Sequence, residues 1–219
     1  MSTFLVTGAN RGIGLELCRQ LKARGDTVLA ACRTTSPELD ALGVRVIAGI
    51  DVATDAGAKT LAQRLEGTKL DVLLNNAGVL EPDALGQLDM EKLRRQFEIN
   101  SLGPLRVTQA LLPHLHEGSK VGIVTSLMGS MTDNGSGGYY GYRMSKAAVN
   151  AAGVSLARDL APKKIAVLLV HPGMVRTDMT GHNGIEASES VRGIVARIDE
   201  LDMTKTGKFL HQQGRELPW

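Results

Sequence analysis

The pentapeptide Tyr142-Arg143-Met144-Ser145-Lys146 carries the chemistry that is easiest to name. A tyrosine and a lysine four residues apart on a helix share one face, a turn apart. A phenol ordinarily titrates near about 10. An ammonium beside it favours the phenolate, so the spacing predicts a tyrosine pKa drawn down towards the range of a general acid or base. Tyr139 and Tyr140 lie just upstream, but four residues beyond them stand Arg143 and Met144. Only Tyr142 has the lysine. Alone, the spacing fits a solvated helix face just as well, so the rest of the chain must decide.

A second chemical feature lies at the amino terminus. Thr3-Phe4-Leu5-Val6-Thr7 is a short apolar run, followed by Gly8-Ala9-Asn10-Arg11-Gly12-Ile13-Gly14 and then by apolar residues at helical spacing from Leu15 to Arg24. Strand, glycine turn and helix in that order make a phosphate cradle, because free amides and the positive end of the helix dipole face the same point. Glycines let the backbone approach a pyrophosphate and let the helix pack on the strand. The Gly8, Gly12, Gly14 spacing differs from the common Gly-x-Gly-x-x-Gly fingerprint. At the end of the next apolar run, Thr27 to Arg33, an NAD site usually carries an acid; here Arg33 stands there, and Arg11 lies inside the turn. Two guanidiniums suit a ribose 2′-phosphate, which favours NADP(H) over NAD(H). Both arginines also fit ordinary surface charge.

Strand signals recur at 3–7, 27–32, 44–49, 70–75, 120–125 and 165–171, with helical patterns between them and a short seventh strand near 207–211. That alternation predicts an α/β fold, a doubly wound Rossmann-type parallel sheet of about seven strands with helices on both faces and right-handed crossovers. With no repeat, linker or low-complexity segment, 1–219 is expected to be a single catalytic domain. Ligands in such sheets bind beyond the carboxyl ends of the strands. Gly8, Asn75, Ser126 and Pro172 all follow predicted strands, so the chemistry should converge on one edge.

Thr7-Gly8-x-x-x-Gly12-x-Gly14 together with Tyr142-x-x-x-Lys146 resembles the short-chain dehydrogenase/reductase family. Further elements match in order. Asn75-Asn76-Ala77-Gly78 is similar to the family element that supports the sheet and borders the cofactor. Asp51-Val52 resembles the pair that contacts adenine. Asn100 matches the helix asparagine that holds a water in a proton relay, and Ser126 the serine that orients the substrate carbonyl. Pro172-Gly173, with Val175 and Thr177, resembles the loop flanking the nicotinamide. The resemblance implies that Asn10, Arg11, Ile13 and the three glycines hold the cofactor, that Lys146 binds the nicotinamide ribose, and that Tyr142 is the proton donor. Ser126-Leu127-Met128-Gly129-Ser130, the run from Gly137 to Lys146 and the closing Gly214-Arg215-Glu216-Leu217-Pro218-Trp219 are similar to a narrower C-factor and sniffer-like branch, which holds carbonyl reductases and a developmental signalling protein. Two departures bear on specificity. Ser126 lies a few residues further from Tyr142 than is usual, the excess falling in Thr132 to Gly138, and the stretch after Thr177 is short for a substrate lid.

Composition excludes several other classes. The 219 residues carry 25 Lys and Arg against 23 Asp and Glu, a net +2 without a basic run, so neither nucleic acid nor a membrane surface is an expected partner. No apolar stretch approaches a membrane span, no secretory pattern opens the chain, and two cysteines make no disulfide framework, which fits a reducing cytoplasm. Cys18 and Cys32 are expected to be packing residues. The histidines lack ligand spacing, so no metal is expected. Met128, Met131, Met174 and Met179 fit either an adaptable pocket lining or core filler. The combined expectation is an NADP(H)-dependent carbonyl reductase acting on a small aldehyde or ketone as a homodimer or homotetramer. The alternatives are a nucleotide-binding signalling protein with slow turnover, and a nucleotide-sugar epimerase, which needs a larger substrate region than the residues after Thr177 supply.

Overall fold

The first six strand signals are mainly apolar, as strands buried on both faces require, with Arg45, Asp71 and Lys120 as the charged exceptions. A computed structural model describes residues 1–219 and places seven parallel strands in one sheet, in the order β3-β2-β1-β4-β5-β6-β7. The strands are β1 (Thr3–Thr7), β2 (Thr27–Ala31), β3 (Arg45–Ile47), β4 (Leu70–Asn75), β5 (Leu115–Val124), β6 (Ala166–His171) and β7 (Phe209–His211). The order reverses between β1 and β4, and that switch opens the crevice in which a doubly wound sheet binds its ligand.

Alternate strand residues face opposite ways, and they build two cores. Phe4, Val6, Val72, Leu74, Leu168 and Val170 pack under α1 (Gly12–Ala23) and α7 (Ala187–Asp199), meeting Leu17, Leu21, Val191 and Ile194. Leu5, Leu73, Val121, Ile123 and Val167 face the other way, under α3 (Asp55–Arg64), α5 (Gly103–Leu111) and α6 (Tyr140–Leu160), against Leu61, Val107, Leu111 and Val149. Two short helices complete the sequence of elements: α2 (Pro37–Asp40), capped by the Ser36 hydroxyl, and α4 (Met90–Phe97), capped by Asp89. No helix is long and apolar enough to cross a membrane.

Element boundaries depart from the expected ones where polar contacts outweigh hydrophobic pattern. β5 begins at Leu115 rather than 120, because the Ser119 hydroxyl bridges His116 N–H (2.9 Å) and the Leu70 carbonyl (2.8 Å) across a register shift. His116 therefore stands in a strand, paired with Asp71 at 3.1 Å. β3 is only three residues long; the chain turns away at Gly49, whose φ is +77°. α1 starts at Gly12, three residues before its apolar pattern.

Candidate active site

The glycine turn is held by close approach. Gly8 has φ +66° and Gly12 +52°, left-handed values that favour glycine. A Cβ at Gly14 would lie 2.1 Å from the Gly8 carbonyl oxygen, and one at Gly8 would lie 2.8 Å from Ala77 Cα. Arg11 caps α1 with extended backbone and no side-chain bond, so the amides of the first turn stay free for an anion. The Asn-Asn-Ala-Gly segment braces this turn from β4. Asn76 N–H and Ala77 N–H donate to the Thr7 hydroxyl at 3.0 and 3.1 Å, and Asn76 Nδ2 donates to the Thr7 carbonyl at 2.9 Å. Asn75 Nδ2, buried, donates to Thr108 Oγ1 at 3.1 Å. Thr7, which drew no role of its own from the sequence, is thus the knot between the two segments. Its only signal was its place immediately before Gly8.

The remaining cofactor candidates ring the crevice. Thr177 lies beside Gly12, its Cγ2 within 3.3 Å of where a Cβ would stand. Arg11 is exposed and pairs with Asp178 at 3.5 Å, spanning the crevice mouth. Arg33 is exposed just beyond β2 and makes no ion pair. Asp51 Oδ1 accepts from Ala53 N–H at 3.0 Å, and Val52 is buried against Gly103. Pro172 is anchored through its carbonyl by buried Ser190 (2.7 Å), Gly173 turns at φ +84°, and Val175 bridges to Ile185. Cys18 and Cys32 are buried, the Cys18 thiol pushed up to about 12 by burial first and Cys32 second; both are packing residues.

Tyr142 and Lys146 lie on the buried face of α6, not on a solvated one. Lys146 Nζ sits 5.7 Å from the Tyr142 ring centroid and donates to the Val124 carbonyl at 3.0 Å. Ser126, just beyond β5, accepts the Met128 N–H at 3.1 Å and lies near enough to Tyr142 to oppose part of the effect of burial on its phenol. The expectation that lysine draws the tyrosine pKa down is corrected. Burial pushes Tyr142 up to about 12, and the opposing influence comes from Ser126, not from Lys146. Burial also lowers Lys146 to about 8. Removal from water penalises both charged forms, which leaves the phenol protonated and able to donate.

Asn100 lies in a π-helical turn, Glu98–Leu102, between α4 and α5. Its amide is engaged on three sides: Oδ1 accepts Val79 N–H (2.8 Å), while Nδ2 donates to the Val79 carbonyl (2.8 Å) and Ser145 Oγ (3.0 Å). A Cβ on Gly78 would come within 3.2 Å of Asn100 Oδ1 and 3.7 Å of Lys146 Nζ, so these three residues meet. Asp83 was not foreseen. Its carboxylate accepts Tyr140 N–H at 2.5 Å and Gly141 N–H at 2.9 Å, capping the helix that carries Tyr142 from 57 residues away in sequence. Nothing local marks such a partner. His171 ends β6 with Nδ1 buried and unpartnered. Burial, then His211, Arg215 and Lys146, lower it to about 4. Met131, Met174 and Met179 are exposed at the rim, which excludes core filler for those three.

A switch-point crevice with a glycine turn on one side and a buried Ser-Tyr-Lys set on the other defines an oxidoreductase of the short-chain class. The family profile described as short chain dehydrogenase matches residues 2–187, and the chain belongs to that family. It is 46% identical over its full length and the relative's full length to the 1-hydroxy-2-glutathionyl-2-methyl-3-butene dehydrogenase of Rhodococcus sp. strain AD45. It is 49% identical to the C-signal of Myxococcus xanthus, over 68% of this chain and 93% of that one. The solved NADPH-bound carbonyl reductase from chicken fatty liver superposes with a TM-score of 0.91 at 28% identity, covering 100% of this chain and 99% of that chain. The chain is thus a nicotinamide-dependent oxidoreductase acting between alcohol and carbonyl.

Proposed function

We propose that the protein is an NADP(H)-dependent reductase of a small aldehyde or ketone, with Tyr142 as the proton donor. The observation that carries this reading is the Ser126–Tyr142–Lys146 set, buried at the strand edge that also carries the glycine turn. The cradle fits a dinucleotide. Its first-turn amides are free, its glycines leave room for close approach, and Arg33 offers an unpaired guanidinium where an NAD site would carry an acid. The nicotinamide, when bound, supplies the hydride.

The chain's own residues do the rest. Tyr142 Oη gives its proton to the developing alkoxide, a direction suited to a phenol that burial keeps protonated. Ser126 Oγ donates to the same oxygen and spreads its charge. Lys146, held on the Val124 carbonyl, places a cation on the cofactor side of Tyr142. Asn100 fixes Val79 and Ser145 around the site and belongs, in this reading, to the reprotonation route. Asp51-Val52 and the Pro172 to Thr177 loop complete the cofactor wall. The α4–α6 face exposes Met90, Phe97 and Met144, which supports pairing of two copies. The Rhodococcus relative makes alcohols and aldehydes of thioether conjugates the first substrates to screen.

Calorimetry with NADPH and NADH tests the cofactor half. NADPH should bind more tightly, and Arg33→Ala should weaken it about tenfold, as loss of one charged hydrogen bond of about 1.4 kcal/mol requires. Equal binding of both cofactors would remove Arg33 from the site. A second reading, a nucleotide-binding signalling protein with slow turnover, draws on the likeness to the C-signal. Tight NADPH binding without turnover of any carbonyl would favour it.

A further inference from the structure

Arg143 follows Tyr142 on α6 and is half-buried, yet no carboxylate pairs with it. Its guanidinium reaches back over the turn between β5 and α6. One terminal nitrogen donates to the Met128 carbonyl at 3.4 Å and the other to the Ser136 hydroxyl at 2.9 Å, while Nε is buried without a partner. A partly buried charge held only by neutral acceptors, with one donor idle, costs free energy. Its position leads to the reacting atoms. Met128 is gripped at both ends of its main chain, its carbonyl by Arg143 and its N–H by Ser126 Oγ at 3.1 Å. Ser126 in turn is buried, as is Tyr142, and lies near enough to its phenol to influence it. The other side of this turn is pressed onto α6, where a Cβ on Gly129 would lie 2.7 Å from the Lys146 carbonyl carbon. With one lone pair of Ser126 taken by Met128 N–H, fewer orientations remain open to its hydroxyl proton.

We propose that Arg143 is a positioning residue for the reduction: through the Met128 main chain it holds the Ser126 hydroxyl against Tyr142, and so governs turnover more than the affinity for cofactor or substrate. The proposal rests on the reductase reading above. A planar, forked guanidinium can hold Met128 and Ser136 together, which a lysine ammonium does in only one geometry at a time.

The test compares wild type, Arg143→Met, Arg143→Lys and Ser136→Ala. Arg143→Met should lower kcat for NADPH-dependent carbonyl reduction about ten- to a hundredfold, the scale of a small misplacement of a reacting group. KM and the NADPH Kd should stay within about twofold. Added methylguanidinium should restore part of the lost kcat. Arg143→Lys should fall between, and Ser136→Ala, which frees one arm of the guanidinium but keeps the Met128 bond, should lose less kcat than Arg143→Met. Independently of turnover, hydrogen exchange at the Met128 amide should quicken in Arg143→Met, while amides of β1 and β4 stay unchanged. Unchanged exchange at Met128, or an unchanged kcat in Arg143→Met, would overturn the proposal and leave the reductase reading standing. A wild-type protein that turns over no carbonyl with NADPH would overturn that reading, and the role of Arg143 in turnover with it.

Discussion

The two walls of the crevice are built to different standards. On the nucleotide side, Gly8, Gly14, Thr7, Asn76 and Ala77 meet at distances that admit no added carbon, and each polar contact is shared with a second segment. On the other side, Met131 stands exposed in the segment between β5 and α6, which lacks a long element of its own. There Thr132 is tied down only by two bonds to the Trp219 carbonyl, at 3.0 and 2.8 Å. The common part of the substrate pair, the dinucleotide, meets the rigid wall. In the proposed reading the variable part meets the Met131 segment, a loop that can change without disturbing the cradle. The proposed catalytic set, Ser126, Tyr142 and Lys146, lies just beyond β5 and on the first turns of α6.

That contrast can be broken most severely at Gly14. Gly14→Ala should abolish measurable NADPH binding and lower the melting temperature, because overpacking against the Gly8 carbonyl typically costs about 1–3 kcal/mol or more. A Gly14→Ala protein with wild-type binding would mean the cradle is as tolerant as the rim. The boundary between the walls is sharpened at His171, which is lowered to about 4, chiefly by burial. The unfolded chain takes up that proton near about 6.5 while the folded chain stays neutral, so this contribution is present above that pH and is lost as pH falls towards 4. It amounts to at most about 3 kcal/mol. His171→Gln should flatten the acid limb of a stability profile, and an identical limb would place the loss elsewhere. The smallest effect belongs to the rim. Met131→Ala should change stability by no more than about 0.5 kcal/mol while shifting KM between carbonyl substrates. A large loss of stability would show that the rim is a second core.

The same contrast explains what could be read without coordinates. Period and glycine spacing carried the sheet and its binding edge, and helical spacing paired Tyr142 with Lys146, because these depend on local pattern; Ser126 drew its role from the family resemblance alone. Asp83 was missed, and Thr7 was read only as the opening of the glycine motif, because their work is done across the fold. A loop aspartate capping α6 looks like any surface acid until the chain is folded. The direction of the Tyr142 shift was misjudged for a related reason. Spacing reports which residue neighbours which, but burial of the whole helix face decides which charged form is penalised.

The most direct measurement is steady-state NADPH oxidation over a panel of aldehydes and ketones by wild type and Tyr142→Phe, with NADPH binding measured on both. The account predicts that Tyr142→Phe binds NADPH as wild type does and loses about 10²–10⁴-fold in kcat on every carbonyl the wild type reduces. A Tyr142→Phe enzyme that keeps its turnover would contradict it.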